Sequence, residues 1–153
     1  MGIEIERKFL VTSEAWRQGT GIRVRQGYIS LDEKRSVRVR STPVGAYLTI
    51  KGTSRGARRS EFEYEIPTKD ADELLDSICV KPLIEKVRYR VVHRGLTWEI
   101  DEFLGENRGL VIAEVELDRE DQEFDRPPWV GEEVTLDPRY YNMNLVGKPY
   151  RAW

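Results

Sequence analysis

The 153 residues contain one cysteine and one histidine, the two residue types on which zinc sites, thiol chemistry and most hydrolase triads depend. Cys79 alone cannot close an internal disulfide, which fits a reducing compartment. His93 follows "RYRVV" at a strand end, so neither a Ser-His-Asp triad nor a His-rich zinc site is supported. Long apolar runs are also missing. No segment approaches the roughly 20 apolar residues of a membrane span, and the first residues are a charged alternating stretch rather than a leader. Charge of one sign is scarce as well, with a formal net charge of -2. That excludes a bulk basic field for nucleic acid, so any anion-binding surface must be built locally from arranged side chains. There is no Gly-rich nucleotide loop, internal repeat, linker or low-complexity tract. The expectation is one cytoplasmic domain over 1–153, acting without nucleic acid or membrane.

What the chain has instead is charge in both signs. Charged residues make up 34% of it, against roughly a quarter in ordinary globular proteins. They alternate with apolar residues at period two, the pattern of strands with two chemically different faces. Ile3, Ile5 and Phe9 alternate with Glu4, Glu6 and Lys8. Val37 and Val39 oppose Arg38 and Arg40, and Leu48 and Ile50 oppose Tyr47, Thr49 and Lys51. Phe62, Tyr64 and Ile66 oppose Glu61, Glu63 and Glu65. Val87, Tyr89 and Val91 oppose Lys86, Arg88 and Arg90. Trp98 and Ile100 oppose Glu99 and Asp101, and Ala113, Val115 and Leu117 oppose Glu114 and Glu116. The stretch 21–31 is strand-like too, with Gly27 marking a bulge that hides its phase. About eight strands joined by turn signals such as Pro43-Val44-Gly45 and Arg94-Gly95 predict an antiparallel sheet that closes or nearly closes. Helices are few. The run 68–80 carries Leu74, Leu75 and Ile78 at helical spacing, "TSEAW" at 12–16 begins with cap residues, and 138–146 predicts a third helix, while 118–131 reads as a loop.

In an ordinary sandwich the apolar face packs inward. Here the charges are sorted by strand: Arg38 with Arg40, Lys86 with Arg88 and Arg90, Glu61 with Glu63 and Glu65, Glu114 with Glu116. Like charges two residues apart sit roughly 7 Å from one another and repel, so such runs call for the opposite sign across from them. A barrel with its apolar face outward, covered by helices and loops, supplies that and leaves a charged lumen. The lumen would be wet, since moving an ion into low dielectric costs several kcal/mol even after relaxation. A cationic wall facing an acidic wall suits a polyanion held together with divalent cations. The pairs Glu4 with Glu6, and Glu114 with Glu116, are oxygen ligands for a hard ion such as Mg2+ or Mn2+.

The N-terminal pattern Glu4-Ile5-Glu6-Arg7-Lys8, followed by ordered Arg, Lys and Glu strands through "AEVEL" to "VGKPY", resembles the CYTH superfamily, the triphosphate tunnel metalloenzymes. The resemblance implies a mainly β (α+β) fold: a closed, eight-stranded antiparallel barrel with a charged tunnel and helices outside. It implies Glu4, Glu6, Glu114 and Glu116 as metal ligands. Lys8, Arg38, Arg40, Lys51, Lys86, Arg88 and, near a strand end, Arg90 match the positions that clasp phosphates. Glu61 and Glu63 match the middle acidic strand, where a second metal or the attacking water is positioned; Asp101 is a further candidate, and Tyr28 and Lys148 are candidates for closing the mouth. Compact members with this N-terminus hydrolyse inorganic tripolyphosphate to pyrophosphate and phosphate, while relatives act as adenylate cyclases or as thiamine or nucleoside triphosphatases. A non-catalytic polyphosphate-binding module is the alternative from another class. An outer apolar face left bare by helices would allow a homodimer.

Overall fold

Strand pairing follows the charge alternation. The computed structural model describes residues 2–153. Nine strands run β1 (Ile3–Val11), β2 (Ile22–Asp32), β3 (Arg35–Thr42), β4 (Gly45–Lys51), β5 (Arg58–Ile66), β6 (Val80–His93), β7 (Leu96–Phe103), β8 (Val111–Glu116) and β9 (Val130–Glu133), with helices α1 (Thr68–Ser77) and α2 (Asn142–Gly147). The sheet order is β5-β4-β3-β2-β6-β7-β8-β1-β9, and β5 also pairs with β1, so that the first eight strands close an antiparallel barrel. β1 is the seam. Its residues Ile3 to Ile5 pair with β5, Glu6 to Phe9 pair with β8, and Phe9 and Val11 pair with β9.

Register places opposite charges side by side. Lys51 lies across from Glu61, Arg88 from Asp101 and Arg90 from Glu99. The β6–β7 hairpin turns at Arg94 (φ 47°) and Gly95 (φ 84°), the paired left-handed residues that match the twist of the strands. On β2 the pairing slips between Gln26 and Tyr28 and again between Tyr28 and Ser30. Gly27 permits this: a Cβ there would lie 2.7 Å from Leu83 Cδ2 and 2.8 Å from Cys79 Cβ.

Most apolar strand residues look outward, and two different covers bury them. α1 lays Ala71 and Leu75 over Val39 and Ala46. The loops after β1 and β8 bring Trp16, Phe124 and Trp129 onto Phe9, Trp98 and Val115. The C-terminal segment instead plugs one end of the bore, packing Tyr140, Met143, Leu145 and Val146 on Ile84, Phe103 and Ile112, which share the inner face with Lys86, Asp101 and Glu114. Part of the outer face of β4 and β5 stays bare, with Phe62 48% and Tyr64 56% exposed.

Four local expectations are corrected. Residues 12–16 form bends and turns, not a helix, because Trp16 is drawn fully into the core against Tyr89, ring centroids 5.3 Å apart. The helix expected over 138–146 breaks in two at Tyr141, which is extended (φ -73°, ψ 128°): a 3-10 turn at Pro138–Tyr140 precedes α2. α1 ends at Ser77, since Val80 already belongs to β6. The stretch read as a loop over 118–131 ends in β9, whose partner is β1.

Candidate active site in the barrel lumen

Alternation along eight strands turns one row of side chains from each into a single cavity of about 280 Å³. Glu4, Glu6, Lys8, Arg38, Arg40, Lys51, Glu61, Glu63, Lys86, Arg88, Arg90, Glu114 and Glu116 all line it, as does Tyr28. Asp101 stands behind that wall, fully buried. Lys148 is exposed and does not line the cavity, because it follows the far end of α2, whose first residues are the ones that reach the lumen.

The cations are held in three clusters. Lys51 Nζ lies 3.1 Å from Glu4 and 3.4 Å from Glu61. Burial and Arg38 act to lower its pKa, and the carboxylates Glu4, Glu6 and Glu61 outweigh them, so it is raised. Arg38 and Arg40 share Glu63 at 3.8 and 3.4 Å. Arg38 Nε is buried with no partner among the described residues, and an unpaired buried donor costs about 1–3 kcal/mol. A bound anion would remove that cost. In the third cluster Asp101 takes Arg88 bidentately at 2.7 and 2.9 Å and holds Lys86 at 2.8 Å. Burial works against ionising Asp101, and the two cations hold its carboxyl below the usual range. Burial pulls Lys86 down to about 8 despite Asp101.

The carboxyl groups meet in pairs. Burial and the neighbouring Glu114 push Glu6 well above the ordinary carboxylate range. Glu114 is also penalised by burial, but a hydrogen bond with Glu6 and the nearby Lys8, Arg88 and Lys86 hold it far below that range. Of the two, Glu6 is the one whose charged form is disfavoured. Likewise burial and Glu4 raise Glu61 to about 7, while Lys51 keeps Glu4 low against the effect of burial. Glu116 is raised by burial, Glu4 and Glu99. Two carboxyls that must share a proton form an oxygen-only donor set whose repulsion a divalent cation relieves. Among the described residues no three such side chains already surround one point, because Glu4 and Glu61 are turned to Lys51. The donors fit a hard cation, with that ion pair exchanged on binding.

Several cavity residues carry no period-two signal. Thr135 donates from its hydroxyl to Glu133 at 2.6 Å, and Tyr141, Asn142 and Met143 come from the C-terminal segment. Nothing local marks them, since their lumen contacts span more than fifty residues. Arg59 lies in the "RGARR" run and turns inward to donate to the Gly52 carbonyl at 2.7 Å. Glu99 was visible in the alternation and binds both Arg88 and Arg90, at 3.3 and 3.0 Å.

A closed antiparallel barrel whose bore carries a cationic wall interleaved with carboxylates defines a class: a tunnel built to enclose a compact polyanion. The CYTH domain model matches residues 2–141, and the chain belongs to the CYTH family. It is 55% identical over 152 residues to an inorganic triphosphatase of Acetivibrio thermocellus, covering 99% of this chain and 97% of the relative. A second inorganic triphosphatase, from Nitrosomonas europaea, is 36% identical over 147 residues, covering 94% and 96%. A crystal structure of an inorganic triphosphatase superposes with a TM-score of 0.65 at 34% identity, covering 93% of this chain and 96% of that one.

Proposed function

We propose that the chain hydrolyses inorganic triphosphate to pyrophosphate and orthophosphate inside the barrel. The observation that carries this reading is the convergence of Lys8, Arg38, Arg40, Lys51, Lys86 and Arg88 on one cavity that also gathers Glu4, Glu6, Glu61 and Glu114. The two relatives called inorganic triphosphatases support it along nearly the whole chain.

The roles follow from chemistry. Arg38, Arg40 and Arg88 offer forked donors to phosphate oxygens, and Lys8, Lys51 and Lys86 add compact charge. Together they hold the chain extended and neutralise oxygens that gain charge as the anhydride breaks. Arg90, at the exposed end of its row, steers the incoming anion. Glu4, Glu6, Glu114 and Glu116 would hold a divalent cation, Mg2+ or Mn2+. Bound there, the ion would supply charge neutralisation on the phosphate oxygens. Glu61 and Glu63 orient the attacking water toward the terminal phosphorus. The water's oxygen bonds to that phosphorus and gives its proton to the carboxylate that orients it, the bridging P–O bond breaks, and the pair of electrons leaves on pyrophosphate. A substrate without a base suits this lumen, because its lining is dominated by ionised groups that recognise phosphate alone.

Phosphate release from tripolyphosphate, thiamine triphosphate, ATP and pyrophosphate, each with Mg2+, Mn2+ or Ca2+, tests the reading. Tripolyphosphate should be the preferred substrate, with Mg2+ or Mn2+ as the activating ion. Faster turnover of ATP, or binding without phosphate release under every ion, would overturn it.

A further inference from the structure

Asn142, the first residue of α2, is buried, and its Oδ1 accepts two hydrogen bonds: from Lys86 Nζ at 2.9 Å and from Gln26 Nε2 at 2.9 Å. An ammonium can only donate, so the amide of Asn142 has one orientation open to it, oxygen toward Lys86. Gln26 must then present its NH2 to the same oxygen, and its own Oε1 is left buried with no donor among the described residues. An unpaired buried acceptor is unfavourable. The arrangement therefore satisfies the lysine at the glutamine's expense.

Lys86 has three N–H donors. One goes to Asp101 on β7 at 2.8 Å and one to Asn142 on α2. The third remains for the cavity that Lys86 lines. Each N–H lies off the Cε–Nζ axis, so an acceptor resists turning of the ammonium, and two fixed acceptors on different elements hold it more firmly than one. Asp101 shares both of its oxygens with Arg88, so Asn142 is the acceptor that serves Lys86 without serving a second cation. A neutral amide also directs the ammonium without cancelling the charge a phosphate needs.

We propose that Asn142 is a positioning residue for the phosphate chain: together with Asp101 it aims the third N–H of Lys86 at a phosphate oxygen, and it makes that aim depend on docking of the C-terminal segment. The inference rests on the triphosphate reading for the identity of the ligand.

Calorimetric binding of tripolyphosphate to the metal-free protein gives the test, in a cycle of wild type, Asn142→Ala, Lys86→Met and the double variant. Asn142→Ala should weaken binding about tenfold, the scale of one hydrogen bond to a charged group. It should add nothing in the Lys86→Met background. A loss that persists without Lys86 would mean that the amide only seats α2, and would overturn the proposal. Unchanged affinity in Asn142→Ala would do the same. A second readout needs no ligand: the Lys86 ammonium should give a slowly exchanging nitrogen resonance in the wild type that broadens in Asn142→Ala, and identical spectra would count against the inference. Binding of tripolyphosphate without turnover would remove the reaction while leaving this cycle intact. Failure of the wild type to bind it would remove both.

Discussion

Lys86 and Arg90 lie four residues apart on β6 and face the same lumen, yet their surroundings differ sharply. Lys86 is 2% exposed and is fixed by Asp101 and by Asn142. Arg90 has a 62% exposed side chain and shares one carboxylate, Glu99, with Arg88. The same alternation thus produces a desolvated, doubly held cation at one level of the bore and a solvated one at another. Burial decides which of them binds tightly and which merely attracts, since an ion pair is worth little in water and its disruption is costly in a dry interior.

Removing the buried counter-charge breaks this contrast most severely. Asp101→Ala leaves Lys86 and Arg88 unpaired and should cost about 3–5 kcal/mol of stability. Urea unfolding measures it, and a loss within about 1 kcal/mol would mean that the lumen is wetter than its geometry implies. Glu6→Gln should act on turnover instead. Because burial and Glu114 disfavour the charged form of Glu6, the neutral amide should leave thermal stability unchanged while lowering tripolyphosphate turnover by about 100-fold or more. Equal turnover would end the assignment of Glu6 as a metal ligand.

Acidity sharpens the comparison. Lys86 titrates at about 8 in the folded protein against an ordinary value of 10.5, so between those values the unfolded chain holds more protons than the folded one. Stability from this group should therefore rise with pH across that window. Affinity of the metal-free protein for tripolyphosphate should fall over the same range as the ammonium is lost. Calorimetry above and below pH 8 checks the affinity, and Lys86→Met should abolish the fall. The smallest effect belongs to the exposed end. Arg90→Ala should change stability by less than about 0.5 kcal/mol and act on KM more than on kcat, with a dependence on salt.

Those levels of the bore were unequally legible in the sequence. Glu4, Arg38, Glu61, Lys86 and Glu114 could be placed on one inner surface because strand geometry turns every second residue the same way, whatever the rest of the chain does. The level of burial could not be read, because Lys86 is dry only where Asn142, 56 residues later, covers it. β2 was opaque for another reason: its slips around Tyr28 erase the period. Asn142, Tyr141 and Thr135 carry no pattern, since they reach the lumen from irregular segments. Trp16 shows the reverse failure, where capping residues suggested a helix and tertiary burial of one indole prevailed.

β1 has a consequence for how the protein is made. This strand pairs with three others, with partners as far along the chain as Glu133. A ribosome delivers it first, and it must wait, with half its contacts unmet, until almost everything else has emerged. Ring closure is thus a late event in biogenesis. A nascent chain that stops short of β8 has neither wall complete, so phosphoanhydride-splitting activity should switch on only after β8 and β9 have emerged.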